Sequence, residues 1–245
     1  MGLFGLFNSE KALYYPGCLT KGVLEKEFES YKEIFNRLGV DFVLLSDKEA
    51  CCGLPVLNAG FKKDTRKLAK KNYDIFKKNG ITKIITNCPS CYHTFNDIYP
   101  KLVREWDIKA EHATVTILNA LKKKRIRYRG QEEDKEIVSY HDPCHLGRYS
   151  EIYEEPRQVI ELLGGKIVEM SHNREDASCC GGGGGVRANF PEIAKKIAQR
   201  KADSIPEAAN KIISPCGLCY SNIKSGTDKS AEFSTFVLGR LRGLR

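Results

Sequence analysis

The sequence predicts an α/β protein made of two pseudo-symmetric repeats, each with a small, mostly parallel sheet flanked by helices. Short apolar runs of strand-forming residues alternate with longer runs of helical periodicity along the 245 residues, which is typical of parallel strands joined by helical crossovers. The ten cysteines fall into two sets of five with the same order, which indicates an internal duplication. Hydrophobic residues make up 41% of the chain and charged residues 29%, the balance of a folded, water-soluble protein.

The first repeat is expected to span residues 11–128. Apolar runs rich in strand formers, and stretches of helical spacing between them, define its elements. The predicted strands are residues 12–15, 40–45 and 81–86, and the predicted helices are residues 23–38 and 61–79. Gly80 is a suitable C-cap for the second helix, because glycine readily adopts the left-handed conformation.

The second repeat is expected to span residues 134–245 and to follow the same plan. Its predicted strands are residues 137–140, 166–170 and 211–213, and its predicted helices are residues 156–163 and 191–204. Each of these helices is expected to open with a proline at its first position, where the missing N–H is no loss. The charged, weakly periodic stretch 122–136 predicts a solvated connector between the repeats.

Each cysteine set consists of a single cysteine, an adjacent pair and a C-x-x-C motif, and no cysteine is left over. The intervals are 33, 1, 36 and 3 residues in the first set and 35, 1, 36 and 3 in the second. Every group follows the end of a predicted strand, and the carboxyl ends of parallel strands meet along one edge of a sheet. We therefore expect each set to converge on one site. The ten candidate ligands are Cys18, Cys51, Cys52, Cys88, Cys91, Cys144, Cys179, Cys180, Cys216 and Cys219.

Three chemistries compete for these cysteines. Structural disulfides are disfavoured, since a cytoplasmic chain with an adequate core has little use for them and adjacent cysteines form strained bridges. A structural zinc ion takes four ligands, so the fifth cysteine of each set would be surplus. Iron–sulfur clusters suit the count best, because thiolates are their usual ligands and a multi-iron cluster can be held from several directions. The ferredoxin spacing C-x2-C-x2-C-x3-C-P is absent, so no conventional cubane module is expected.

At these motifs the sequence resembles the cysteine-rich CCG family, which repeats the pattern C-x(n)-C-C-G-x(n)-C-x-x-C. It is most similar to the two-copy members, which are the B-type subunits of heterodisulfide reductase and the matching region of the D-type subunits, over residues 13–220. The resemblance implies that each set of five cysteines binds a noncubane [4Fe-4S] cluster and that the paired clusters face a disulfide substrate. Related domains occur in the iron–sulfur subunits of glycolate oxidase and anaerobic glycerol-3-phosphate dehydrogenase.

The resemblance implies an iron–sulfur subunit of an oxidoreductase complex that reduces a small-molecule (hetero)disulfide. Both sets of ligands are complete, which favours this disulfide-reducing type. The alternative is an electron relay that serves a flavin-dependent 2-hydroxyacid or glycerol-3-phosphate dehydrogenase and passes electrons towards a quinone. A zinc-stapled assembly protein is a third, non-redox interpretation. The sequence has no flavin or nicotinamide motif, so the electrons must come from a partner subunit that carries flavin or iron–sulfur centres.

Charged side chains beside the cysteines are candidates for handling protons and substrate. His145 follows Cys144 and is a candidate catalytic proton donor, although a purely structural role is equally open. Arg148 and Arg187 are candidates for holding a carboxylate or phosphate of the substrate. His141 and His93 are expected to have structural roles.

A run of five glycines, residues 181–185, follows the second adjacent cysteine pair. It is one residue too short for the dinucleotide-binding fingerprint G-x-G-x-x-G. Backbone without Cβ atoms can pass close to a cluster or its substrate and direct N–H groups at anionic sulfur, so Gly182 and Gly183 are candidate substrate-binding residues. A merely flexible loop is the alternative interpretation.

The net charge of +9 would ordinarily suggest a nucleic-acid partner. The basic stretch 122–129 lacks an aromatic stacking platform beyond Tyr128, and thiolate ligands would offset the charge, so no nucleic acid is expected. No transmembrane segment or secretory signal is apparent, which favours a cytoplasmic location. Two apolar stripes could dock on a partner or cover the protein's own core: Phe233, Phe236, Val237, Leu241 and Leu244, and Leu3, Phe4, Leu6 and Phe7.

Overall fold

The computed structural model describes residues 10–45 and 48–243. In its first repeat, strands alternate with helices. Its strands are β1 (Ala12–Tyr14), β2 (Lys83–Thr86) and β3 (Lys109–His112). Its helices are α1 (Gly17–Gly22), α2 (Glu25–Leu38), α3 (Leu54–Asn58), α4 (Lys62–Lys78), α5 (Pro89–His93), α6 (Tyr99–Leu102) and α7 (Ala113–Lys124), with a π-helical turn at Thr94–Ile98.

The second repeat has the same alternation of elements. Its strands are β4 (Glu136–Tyr140), β5 (Gly165–Ile167), β6 (Lys211–Ser214) and β7 (Ser230–Glu232). Its helices are α8 (Glu154–Leu162), α9 (Val186–Asn189), α10 (Pro191–Asp203), α11 (Gly217–Ile223) and α12 (Phe233–Gly243), and 3₁₀ turns lie at Glu132–Asp134 and Arg174–Asp176.

The two sheets share one topology. The first has the order β1-β2-β3 and the second the order β5-β4-β6-β7, and all pairings are parallel. A parallel bridge joins Leu13 of β1 to Val43. Val43 therefore lies beside β1 in the position that β5 occupies beside β4. In both repeats the chain order therefore reverses beside the first strand, between β1 and β2 and between β4 and β6, where open α/β sheets place their sites. Cys18 follows β1 and Cys144 follows β4, and the C-x-x-C motifs follow β2 and β6.

The predicted α/β class with two repeats is confirmed, and Gly80, at φ 70°, closes α4 as expected. Three details are wrong. The predicted strand 40–45 is reduced to the single bridge at Val43. The edge strands β3 and β7 are absent from the prediction, because they are short and partly charged rather than apolar. Helix α8 begins at Glu154, so Pro156 is its third residue; the acidic side chains ahead of it suit a helix N-terminus.

The core between the two sheets is shared by both repeats. Tyr14 of β1 faces the same side as Ala12 and packs in one buried cluster with Phe35 of α2 and Tyr140 of β4. Helix α12 packs along α2, and α7 packs along α8. The apolar stripe of α12 therefore covers the core instead of docking on a partner, as far as its described members Phe233, Phe236, Val237 and Leu241 are concerned. Leu244 and the stripe Leu3, Phe4, Leu6 and Phe7 lie outside the described residues.

The stretch between the repeats is partly ordered. Helix α7 continues to Lys124 and β4 begins at Glu136, so the predicted connector 122–136 starts inside a helix and ends at a strand. The backbone N–H of Tyr128 donates to the carbonyl of Leu162 at 2.7 Å, which ties the connector to α8. The division into 11–128 and 134–245 stays a prediction. Across the described ranges, every helix is too short or too polar to cross a membrane.

Candidate metal centres

The first set of five cysteines forms one continuous chain of sulfur contacts. Cys18 lies in α1, the adjacent pair precedes α3, and the C-x-x-C motif opens α5. Neighbouring thiols are in hydrogen-bonding contact from one end of the chain to the other. Their order in space is Cys18, Cys51, Cys52, Cys91, Cys88. Five sulfurs from three loops are therefore gathered at the carboxyl edge of the first sheet.

The second set is arranged differently. Four of its sulfurs form a chain of contacts, in the order Cys179, Cys180, Cys219, Cys216. Cys144 is close enough to interact electrostatically with Cys216 and Cys180, but its contact of 3.4 Å is with Nδ1 of His145. All ten cysteines are free thiols, so the disulfide interpretation finds no support in the structure.

Glycines allow the backbone to approach these sulfurs. A Cβ atom on Gly17, at φ 77°, would lie 3.2 Å from both Cβ of Cys88 and Sγ of Cys91. In the second repeat, the N–H groups of Gly181 and Gly182 point at Sγ of Cys179 and Cys180, both at 3.4 Å. Such N–H groups stabilise anionic sulfur, the form that binds metal.

Hydrogen bonds between neighbouring thiols change the pKa values within each set. Hydrogen bonds from Cys18 and then Cys52 lower the pKa of Cys51 to about 2. In the second set, hydrogen bonds from Cys179 and then Cys219 lower the pKa of Cys180. Cys51 and Cys180 are thus preferred thiolates, each in contact with two thiols whose pKa is raised: Cys18 and Cys52 in the first set, and Cys179 and Cys219 in the second. A hydrogen bond from Cys91 also lowers the pKa of Cys88. A metal centre bound there would replace the protons that hold the neighbouring thiols neutral.

The donor set fits an iron–sulfur centre better than zinc. The contacts link five sulfurs in the first repeat, whereas tetrahedral zinc uses four ligands. Cys52, Cys91, Cys180 and Cys219 are buried, while Cys18 and Cys179 reach the surface. Each site therefore extends from the interior to solvent, which suits a multi-iron group that takes thiolates from several directions.

The two cysteine sites adjoin each other. A Cβ atom on Gly217, inside the second C-x-x-C motif, would lie 2.6 Å from Cδ1 of Leu24 at the start of α2. The His93 ring, two residues after Cys91, has its centroid 5.7 Å from that of His145. Both rings contact Tyr149, at 5.2 Å and 4.8 Å. The two sets consequently lie near the contact between the repeats.

His145 lies at the contact between the two repeats. Its half-buried ring is stacked on Tyr149 and contacts Cys144. Desolvation, and then the charge of His93, lower the pKa of His145. The structure thus places the ring beside both repeats, which sequence position alone did not indicate.

The candidate substrate-binding residues are in unlike settings. Nη1 of Arg148 donates to the carbonyl oxygens of Glu175 (3.1 Å) and Ala177 (2.7 Å), so this side chain holds the loop that leads to Cys179. Arg187 is exposed on α9. Gly182 is buried, and a Cβ atom there would lie 3.1 Å from Cβ of Asn222, whereas a Cβ on Gly183 would meet open space.

Polar residues that sequence reasoning set aside or missed are buried at the second site. His141, expected to be structural, is 1% exposed, and one of its ring nitrogens lies within 4.8 Å of Sγ of Cys180 and Cys219. Lys201 is 2% exposed on the buried face of α10 that carries Ala194 and Ala198. A lysine at a helical spacing from two alanines of an apolar face was the only signal in the sequence.

A buried ion-pair network fixes the loop that carries Cys144. The preceding Asp142 receives Nη1 and Nη2 of Arg157 at 2.7 Å and 2.9 Å, and both side chains are 3% exposed or less. Glu169 accepts from Nε of Arg157 at 2.6 Å. Bidentate geometry of this kind orients the Asp-Pro-Cys segment rigidly.

A family model described as a cysteine-rich domain, CCG, matches residues 12–96 and, a second time, residues 138–224. The chain belongs to this family. It carries two copies of the domain, and each matched segment contains one complete set of five cysteines.

Three relatives show the range of proteins that share the sequence. The D-type subunit of the dihydromethanophenazine:CoB–CoM heterodisulfide reductase of Methanosarcina acetivorans is 33% identical over 88% of this chain and 54% of its own length. A probable iron–sulfur-binding oxidoreductase of Bacillus subtilis is 32% identical over 83% of this chain and 29% of its own length. The EtfAB:quinone oxidoreductase of Syntrophomonas wolfei is 29% identical over 92% of this chain and 32% of its own length. The chain thus spans about half the length of the heterodisulfide reductase relative, and less of the other two.

Proposed function

We propose that this chain is the electron-delivering subunit of an oxidoreductase that reduces a small-molecule disulfide, with one noncubane [4Fe-4S] cluster in each set of five cysteines. The observation that carries the proposal is the grouping of five sulfurs in the first repeat and of four in the second, on either side of the contact between His93 and His145. The similarity to the D-type heterodisulfide reductase relative over 88% of the chain supports it. Clusters of this kind would supply electrons one at a time.

The reaction requires two electrons and two protons. The sulfur–sulfur bond of the substrate breaks, each sulfur gains one electron and one proton, and two thiols leave. A partner subunit with flavin or iron–sulfur centres supplies the electrons. Two sites on adjoining repeats suit this stoichiometry, because each could serve one sulfur of the substrate. We place the complex in the cytoplasm.

The protein's own side chains would position the substrate and its protons. His145 contacts Cys144 and lies beside His93 of the other repeat, so a proton held on its ring is close to both sites. Arg187, exposed beside the glycine run, is available for a carboxylate or phosphate of the substrate. Open space at Gly183 lets a substrate approach the backbone, while Gly182 and Arg148 shape the loops around Cys179 and Cys180.

A second candidate function is an electron relay from a flavin-dependent dehydrogenase towards a quinone. The similarity to the EtfAB:quinone oxidoreductase, which covers 92% of this chain, favours it. In a relay, the same two centres would pass electrons through the protein without binding a disulfide. His145 would then have no proton to deliver.

Anaerobic purification or reconstitution tests the metal assignment. The protein should be brown and contain iron and acid-labile sulfide for two clusters, whereas colourless protein containing zinc contradicts the proposal. Reduced viologen offered with chemically varied disulfides then separates the two functions. Release of two thiols per two electrons supports the reductase, and its absence from fully loaded protein supports the relay. His145→Ala should retain iron and lower disulfide turnover; unaltered turnover contradicts its role as proton donor.

A further inference from the structure

Two buried polar side chains at the second site have no oxygen or nitrogen partner. Within residues 10–45 and 48–243, Nζ of Lys201 finds no acceptor, and the ring of His141 is in hydrogen-bonding contact with the sulfur of Cys180 alone. Their side chains are almost entirely buried. An unsatisfied polar group inside a protein is costly, so such a group in a native structure requires an explanation, and a partner that binds beside it supplies one.

His141 faces the sulfurs of the second set. It directly follows β4, and its ring nitrogen lies within 4.8 Å of the sulfurs of Cys180 and Cys219. A neutral imidazole always carries one N–H, so His141 is a donor in either protonation state. Thiolates and sulfides are the acceptors that this location would offer.

Lys201 approaches the same sulfurs from α10. Its amino group interacts electrostatically with Cys180, Cys219 and Asp142. Asp142 is already engaged by two nitrogens of Arg157, at 2.7 Å and 2.9 Å, and does not accept a bond from Lys201. An amine donates hydrogen bonds whether or not it is charged, so the availability of Lys201 as a donor does not depend on its protonation.

The corresponding positions of the first repeat are satisfied within the protein. Tyr15 corresponds to His141, since Tyr15 donates its backbone N–H to β2 at 2.8 Å and His141 donates its backbone N–H to β6 at 2.9 Å. The Tyr15 hydroxyl donates to the carbonyl of Ala50 at 2.7 Å. Tyr73, 128 residues before Lys201, donates its hydroxyl to the carbonyl of Glu105 at 2.6 Å. Neither hydroxyl is left to donate to a bound group at the first site.

We propose that His141 and Lys201 donate hydrogen bonds to the sulfur atoms of the centre in the second repeat and thereby set its reduction potential above that of the first. This inference rests on the proposed function, because it presumes an iron–sulfur centre in each set. Donors to sulfur stabilise the reduced, more negative state and so raise the potential. Electrons that enter through the first repeat then collect in the second, on the side where Cys144 contacts His145.

Redox titration of the iron-loaded chain, followed by electron paramagnetic resonance, tests this assignment. Wild-type protein should show two midpoints. His141→Phe and Lys201→Met should each lower only the higher midpoint, with about a tenfold loss in the equilibrium favouring reduction, or about 59 mV for a one-electron couple. Unchanged midpoints in variants with full iron content overturn the inference, and so does a shift of the lower midpoint.

Matched variants separate this effect from general damage. Tyr15→Phe, Tyr73→Phe and Lys196→Met remove the corresponding hydroxyls and an exposed lysine of α10, and all should leave the higher midpoint unchanged. His141→Gln keeps an N–H donor and should retain most of the wild-type potential. If Lys196→Met lowers the midpoint as far as Lys201→Met does, the special position of Lys201 is refuted.

Nitrogen hyperfine spectroscopy gives a readout that does not depend on a midpoint. Reduced protein labelled with ¹⁵N-histidine should show a weak coupling that disappears in His141→Gln. Strong coupling would mean direct ligation of iron and would overturn the hydrogen bond, as would the absence of any coupling from His141. Wild-type protein that takes up no iron refutes the proposed function itself, which is a result distinct from all of these.

Discussion

In the first repeat, five sulfurs form one chain of contacts, and aromatic side chains pack beside them. In the second repeat, only four sulfurs form such a chain, and the fifth contacts a histidine. The buried aromatic residues near the first site include Tyr15, Phe76, Phe95 and Tyr99, and the partly buried Trp106 packs against them. The second site has a small apolar cluster and the ion-paired Asp142 and Arg157. The five-cysteine pattern is repeated, while the residues around it differ between the two sites.

Loss of one ligand provides the largest expected effect and the most direct challenge to this comparison. Cys91 is in contact with both Cys52 and Cys88 at the interior of the first site, so Cys91→Ser should abolish that centre. Cys144 stands apart from the other four sulfurs of its set, which contact one another, so Cys144→Ser should leave the second centre bound through those four. Iron and sulfide per chain should therefore fall by about half in the first variant only. Equal losses in both variants would show that the two sites are equivalent.

The ion pair beside Cys144 predicts the next largest effect. Asp142→Ala leaves the buried Arg157 without its bidentate partner, and we expect a loss of about 3–5 kcal/mol in the free energy of unfolding. Urea denaturation of the iron-free protein measures this. The matched control, Asp64→Ala, breaks an exposed pair with Lys67 and should cost about 1 kcal/mol or less. If Asp142→Ala lowers the free energy of unfolding as little as Asp64→Ala does, the second site does not depend on this ion-pair network.

Much of the plan was predictable because it is encoded locally. Strand–helix alternation and the spacing of the cysteines predicted two parallel sheets with cysteines at their carboxyl edges, and the structure gathers the first set there. Tertiary burial was not predictable in the same way. His141 and Lys201 carry no local signal of being inside, since only the packing of α10 against the second site encloses them. The position of Cys144, apart from the other four sulfurs, likewise involves a residue far along the sequence, because Arg157 bonds to Asp142, two residues before Cys144.

Equivalent edge positions carry opposite titratable groups, which predicts opposite pH dependences. His112 ends β3, is fully buried, and has its pKa lowered to about 3 by desolvation. The unfolded chain therefore binds a proton more readily than the folded one between about pH 6.5 and 3, so stability falls as the pH falls through that window. His112→Asn should lessen this acid loss by about 1–3 kcal/mol. Unfolding free energies of the iron-free protein at pH 4 to 7 test it, and a parallel fall in the variant would contradict it.

Glu232 ends β7 at the position of His112 and should have the smallest effect, in the opposite direction. Desolvation raises its pKa to about 7, although Ser234 and Tyr31 donate hydrogen bonds to the carboxylate. The folded chain binds the proton more readily between about pH 4.5 and 7, so stability falls as the pH rises through that window.

Glu232→Gln should remove this alkaline loss and be more stable than wild type by about 1–2 kcal/mol above pH 7, because the neutral amide needs no desolvation of charge. Unfolding free energies of the iron-free variant and wild type at pH 5 to 8.5 measure the difference. A variant less stable than wild type at pH 8 would contradict this prediction. It would mean that the hydrogen bonds from Ser234 and Tyr31 stabilise the carboxylate by more than its burial costs. In that case, helix capping would stabilise the buried group at the edge of each sheet. Glu232 accepts from the N–H of Ser234, and His112 accepts from the N–H of Thr114.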